Sequence, residues 1–107
     1  MRVYITKSGK VPFDEWLSGI NNNQLKQKIG RKLIFLSIGN FSNCSPVGDG
    51  VFERKLKGEG IRIYFLKLQE VLLLLGGGKD KQQKDIDKAK EYAKDFYKRG
   101  EIASKES

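Results

Sequence analysis

The sequence predicts a single α+β domain in which an antiparallel sheet carries packed helices, in the order β-α-α-β-β-β-α. Two stretches of helical periodicity follow a short N-terminal strand. A pair of strand-like runs then flanks a Gly-bracketed turn, and an aliphatic run leads into a C-terminal helical pattern. A chain of 107 residues has room for one modest core. We expect one domain at residues 1–99 and a flexible tail at 100–107.

The first strand is expected at residues 2–6 and the first helix at 12–20. Pro12 suits the first helical position because its missing N–H has no partner to lose there. Asn23 can cap a second helix at 24–38. Both helices have apolar residues at the spacing of one buried face. The positions are Phe13, Trp16, Leu17 and Ile20 in the first helix, and Leu25, Ile29, Leu33 and Leu36 in the second.

Residues 41–49 have the composition of a loop, and a β-hairpin follows. Its two runs, at 51–57 and 61–67, flank the turn Gly58–Gly60. Period-two alternation places Arg62 and Tyr64 on one face of the second run. By the same rule Lys55 and Lys57 share a face of the first run, opposite Arg54. The hairpin is therefore predicted to present two lysines, an arginine and a tyrosine on one side.

The aliphatic run at residues 71–75 suits a strand covered on both faces. We expect Gly76–Gly78 to form a tight turn from this strand into the last helix, with backbone N–H groups and Lys79 near a phosphate. The run lacks the spacing of a Walker A motif. Asp80 and Gln83 have capping-box spacing, which predicts a helix at 81–97. Its buried stripe comprises Ile86, Ala89, Ala93 and Phe96.

Composition limits the chemistry that the chain can perform. Its net charge is +8, which favours a polyanion such as RNA or an acidic protein as partner. It has no histidine and one cysteine, so we expect no metal, no cofactor and no histidine-based hydrolysis. The sequence has neither an apolar run of membrane length nor a signal-peptide pattern. We therefore expect a cytoplasmic protein without a membrane partner.

The ordered set of polar and glycine positions resembles the RelE/ParE toxin superfamily, in particular its HigB-like addiction module killer proteins. The likeness covers about residues 3–92. Pro12, Phe13, Trp16 and Leu17 fit upstream, as does the stretch 39–41. The remaining matching positions are Gly50, Val51, Glu53, Lys55, Gly60, Arg62, Tyr64, Phe65, Gly77, Gly78, Lys79, Gln82, Asp85, Ile86, Ala89 and Lys90.

This resemblance implies a RelE-like fold and the toxin of a type II toxin–antitoxin system. The implied activity is metal-independent, ribosome-dependent cleavage of mRNA by attack of the 2′-oxygen. Clustered basic residues, often with a tyrosine, carry the reaction in such toxins. We expect catalysis from Arg62, Lys55, Lys79 and Tyr64, and RNA binding by Lys57, Lys81 and Arg54. The implied partners are a cognate acidic antitoxin and mRNA on the ribosome.

The chain departs from the family pattern at three positions. Glu59 and Ile61 replace the usual Pro in the turn and the Tyr before Arg, and Gly78 replaces an Asp. The alternatives are a ParE-like inhibitor that binds DNA gyrase without nuclease activity and a non-catalytic basic nucleic-acid-binding module.

Overall fold

The computed structural model describes residues 1–80 and 82–107. Six strands form one mixed, mostly antiparallel sheet in the order β2-β3-β4-β5-β1-β6. The strands are β1 Arg2–Tyr4, β2 Cys44–Gly48, β3 Val51–Leu56, β4 Ile61–Lys67, β5 Leu72–Lys79 and β6 Ser104–Glu106. The α-helices are α1 Pro12–Ser18, α2 Asn23–Ser37 and α3 Gln83–Arg99, and a 3-10 helix follows at Gly100–Ala103. The α+β class is confirmed, with two strands more than predicted.

Strand β2 lies where the sequence predicts a loop. It pairs antiparallel with β3 at the edge of the sheet. An edge strand tolerates Pro46, because one side of its backbone needs no ladder partner. Its residues are half-buried or exposed, so burial imposes no hydrophobic alternation on them. This is why composition alone indicates a loop.

Strand β6 lies in the segment predicted to be a flexible tail. It pairs antiparallel with β1 and thereby covers what would otherwise be an open sheet edge. Arg2 Nε donates a hydrogen bond of 2.9 Å to Ser104 Oγ. Sequence pattern did not predict this pairing, since about a hundred residues separate the two strands.

Strand β5 lies between β4 and β1, and it is parallel to β1. Leu72–Leu75 are buried, as an aliphatic run covered on both faces predicts. The strand continues through the glycines to Lys79, so the expected strand-to-helix turn at Gly76–Gly78 is wrong. A register shift opposite Tyr64 and Phe65 inserts one extra residue into β5 at Leu75.

The glycines of β5 leave room for side chains from the helices. A Cβ at Gly77 would lie 2.5 Å from Cε3 of Trp16, a residue of α1. A Cβ at Gly78 would lie 2.8 Å from Cγ of Asp85, a residue of α3. Both distances are far below ordinary contact, so the two neighbours can pack here because the strand lacks side chains.

The sheet separates two hydrophobic cores. One contains α3, whose Ile86, Ala89, Ala93 and Phe96 are buried as predicted. The other lies against α1 and α2 and includes Phe13, Ile29 and Leu36.

The helix starts differ slightly from expectation. Asn22, rather than Asn23, caps α2, and its side chain accepts a hydrogen bond from Leu25 N. Helix α3 begins after Gln82 without a side-chain cap, so the capping box predicted at Asp80 and Gln83 is not formed.

Candidate functional site

The polar residues of the β3–β4 hairpin meet on the face that α3 covers. Lys55 lies directly opposite Arg62, and Glu53 lies directly opposite Tyr64. Directly paired residues of an antiparallel ladder point to the same face of the sheet. Tyr64 belongs to the core beneath α3, which identifies the face. The shared face predicted for Lys55, Arg62 and Tyr64 is confirmed, whereas Lys57 lies beyond the end of β3.

A buried ion pair organises this face. Glu53 and Arg62 are 3% and 9% exposed, and Arg62 Nε lies 3.2 Å from Glu53 Oε2. Ser45 Oγ donates a weak hydrogen bond of 3.4 Å to the other carboxylate oxygen. A buried charge needs a partner to offset its lost hydration. Glu53 therefore offsets the charge of the Arg62 guanidinium through an ion pair, although the Nε–Oε2 contact lacks hydrogen-bond geometry.

A cavity of about 320 Å³ lies at the tip of the hairpin, and three cationic residues are among those that line it. Lys55, Lys57 and Arg62 contribute to its lining, together with Gly58 and Gly60 of the turn. Both glycines have positive φ, which tightens the turn. The positive charges of Lys55, Lys57 and Arg62 in its lining favour binding of an anionic group such as a phosphate.

The turn of this hairpin is held against α2. Glu59, at the tip, forms a 2.6 Å ion pair with Nζ of Lys28. Glu59 occupies the turn position at which the RelE/ParE pattern usually has a proline. In this chain a contact with a helix restrains the turn instead.

Arg54 lies on the other face of the sheet from Lys55. It is 2% exposed, and its guanidinium donates to the carbonyl oxygen of Ser42. Its neighbour across the ladder is Ile63, a core residue. Arg54 therefore ties the preceding loop to the sheet, and the RNA contact expected of it stays a prediction.

Lys79 is exposed and lies away from Lys55 and Arg62. It pairs with Ile61, whose side chain belongs to the core beneath α1 and α2. The extra residue at Leu75 causes this placement, because a one-residue shift reverses the faces of every following position. The structure does not bring Lys79 into the cation cluster. Lys81, the other expected RNA contact after β5, lies outside the described residues.

Tyr64 is buried rather than displayed. It is 1% exposed, and its hydroxyl has no hydrogen-bond partner among residues 1–80 and 82–107. Burial raises its pKa to about 12, and the negative charges of Glu53 and Asp85 act in the same direction. The phenol therefore stays protonated near neutral pH, and its ring cannot stack on a base without a rearrangement of the core.

The sequence did not indicate that Trp16 and Asp85 lie against β5. The signal was present in the three consecutive glycines, which can mark close approach of other groups to a strand as well as a turn. The two helices and the glycine segment line a second, open cavity, and Tyr64 is also part of its lining.

The described residues contain no group of three or more Cys, Asp and Glu side chains placed to hold a metal ion. None of the described helices combines the length and the apolar character that crossing a bilayer requires.

The fold and the site define an α+β domain with a buried Glu–Arg pair and a cation-lined hairpin cavity. No family model matches the chain. A Haemophilus influenzae protein, described as uncharacterized, is 44% identical to it over 88 residues. The match spans 78% of this chain and 88% of the relative. The chain belongs to the same family as this Haemophilus protein.

Proposed function

We propose that this protein is the toxin of a type II toxin–antitoxin pair, of the RelE/ParE superfamily, and that it cleaves mRNA on the ribosome. One structural observation carries the proposal. Lys55 and Arg62 face each other across neighbouring strands and, with Lys57, line one concave surface. The sequence resemblance supports the reaction class, and the cationic lining of the cavity supports a site for a phosphate.

The chemistry of this site follows from its charges. Attack of a ribose 2′-oxygen on the adjacent phosphate forms a 2′,3′-cyclic phosphate and breaks the bond to the 5′-oxygen. The 2′-hydroxyl proton passes to solvent, and the 5′-oxygen leaves as a protonated hydroxyl. Negative charge builds on the phosphoryl oxygens during this step. Arg62 is suited to binding them because a guanidinium offers two parallel N–H donors to a phosphate. The ammonium groups of Lys55 and Lys57 add fixed positive charge around the same atoms. Preorganised cations at the point of charge development are a major source of rate acceleration.

Glu53 acts on this site as a positioning residue. Its ion pair restrains Arg62 before substrate binds, which lowers the entropy lost on forming the phosphate contact. Tyr64 is buried, and Lys79 lies on the sheet face that α1 and α2 cover. The proposed reaction centre therefore comprises Lys55, Lys57 and Arg62. The ribosome would hold the message, so free RNA need not be cleaved.

The proposed partners are an acidic antitoxin and the messenger RNA itself. The net charge of +8 suits both, since electrostatic attraction accelerates encounter with a polyanion. The reactants imply a cytoplasmic location.

Induced expression tests the proposal in cells. We expect growth arrest together with new 5′ ends within translated messages. Lys55→Met should abolish both effects, whereas the control Lys105→Met, which removes an exposed lysine of β6, should retain them. Growth arrest with intact messages and trapped gyrase–DNA complexes would instead identify the ParE-like activity. Absence of arrest would favour a plain nucleic-acid-binding module.

A further inference from the structure

A second cavity, of about 350 Å³, opens between α1 and α3 beside the glycine segment of β5. Strand β1 covers the first part of this edge of β5 by pairing with Leu73 and Leu74. In the described part of the chain this pairing stops there, and the edge at Gly76 and Gly77 faces the cavity. An added strand could therefore pair with this edge of β5, and it would lie between α1 and α3.

The backbone groups on this open edge can be assigned. Asp80 N donates to Gly60 O at 2.6 Å, so these two residues bond across the ladder. Hydrogen-bonded and non-hydrogen-bonded pairs alternate along an antiparallel ladder. Gly77 consequently belongs to a non-hydrogen-bonded pair with Ile63. Its N–H and C=O point away from β4, toward the position where an added strand would lie.

Tyr64, whose hydroxyl is buried, also contributes to the lining of this cavity. The hydroxyl has no partner within the described residues. A buried hydroxyl without a hydrogen bond is unfavourable by about 1–3 kcal/mol relative to a paired one. A ligand that supplies a hydrogen-bond donor there would remove this penalty.

The charge of the cavity lining differs from that of the whole chain. Among residues 1–80 and 82–107, Glu15 from α1 and Asp85 from α3 contribute carboxylates to the lining, and Lys88 contributes a cation. Trp16 and Tyr92 add aromatic rings, which attract cations at their faces. In a protein of net charge +8, this locally acidic and aromatic lining disfavours a nucleic acid and favours a basic group.

We propose that the cavity binds an extended peptide segment of a partner protein through a basic side chain. The segment adds to β5 by bonding the N–H and C=O of Gly77. Its Lys or Arg side chain, on the α3 side, donates to the Asp85 carboxylate and to the Tyr64 hydroxyl. This surface is separate from the cation-lined hairpin cavity, so the inference does not depend on RNA cleavage.

The chain's single tryptophan, Trp16, lies in the cavity and reports on binding. Titration with the blocked tripeptide acetyl-Val-Arg-Val-amide should change its fluorescence saturably. Asp85→Asn should weaken binding by about tenfold, as expected for loss of one charge-assisted hydrogen bond. The control Asp14→Asn, an exposed acid of α1 outside the cavity, should bind like the wild type.

Four results would overturn the proposal. The first is an equal response to acetyl-Val-Glu-Val-amide, and the second is unchanged affinity in Asp85→Asn. The third is displacement of the peptide by an RNA trinucleotide, which would place nucleic acid in this cavity. Failure to saturate at millimolar peptide counts against it as well. Binding can succeed or fail whatever the outcome of the growth-arrest test, so the two proposals are distinguishable.

Discussion

Substitution of Gly77 by alanine tests the packing of α1 against the glycine segment of β5. The backbone at Gly77 lies outside the positive-φ region, so alanine introduces no dihedral strain. The added methyl group would nevertheless lie 2.5 Å from a ring carbon of Trp16. Carbon atoms in contact are separated by about 3.5–4.0 Å. The indole must therefore retreat by about 1 Å, which disturbs its contact with Phe13.

The expected cost follows from two opposing effects. Overpacking of a well-fitted site costs about 1–3 kcal/mol. Replacing glycine by alanine lowers the conformational entropy of the unfolded chain, which stabilises the folded state by about 0.4–1 kcal/mol. We therefore expect Gly77→Ala to lower the free energy of unfolding by about 1–2 kcal/mol, or roughly 1 M in the urea midpoint.

Urea unfolding followed by circular dichroism and tryptophan fluorescence measures this change. Gly30→Ala is the matched control. Gly30 lies within α2, and its added methyl group would meet no atom within 4 Å. Alanine should stabilise that helix by about 0.5–1 kcal/mol. Stability equal to or above wild type in Gly77→Ala, with an unchanged emission spectrum, would refute the packing of Trp16 on the strand.

Three further predictions concern buried or half-buried polar groups. Arg62→Met should destabilise the fold by about 3 kcal/mol in urea unfolding, because it leaves the Glu53 carboxylate buried and unpaired; equal stability of the two proteins would contradict a buried pair. Tyr64→Phe should stabilise the free protein by about 1 kcal/mol, since it removes an unpaired hydroxyl; a clear loss would show that the hydroxyl is hydrogen-bonded. Hydrogen bonds from Arg99 and then Tyr4 hold the pKa of Asp95 below its usual value. That stabilisation is complete above about pH 4, the unfolded pKa, and is lost as pH falls through the lower folded pKa. The stability gap between wild type and Asp95→Asn should therefore close on acidification, and a gap independent of pH would contradict the assignment.

Local pattern was sufficient to predict much of this fold. The alternation in β4 correctly placed Arg62 with Tyr64, and the helical spacing of Ile86, Ala89, Ala93 and Phe96 identified the buried side of α3. Strands β2 and β6 were missed for different reasons. An exposed edge strand needs no apolar alternation, and a terminal strand is stabilised by a partner distant in sequence.

The candidate site was less predictable than the fold. The face of Lys79 depends on one extra residue at Leu75, and that register shift has no sequence signature of its own. Gly76–Gly78 indicated a turn because local sequence does not show what occupies the space beside them. That space is filled by Trp16 and Asp85, which come from other elements. The burial of Tyr64 likewise depends on how α3 crosses the sheet, which strand alternation does not specify.

Cleavage of a defined message by purified protein and translating ribosomes tests the central claim most directly. The proposal predicts cuts within the open reading frame that need ribosomes and disappear in Lys55→Met. It also predicts their loss in Arg62→Lys, which keeps a charge beside Glu53 but lacks the bidentate fork. Uncut message with wild-type protein, or cuts that persist unchanged in both variants, would contradict it.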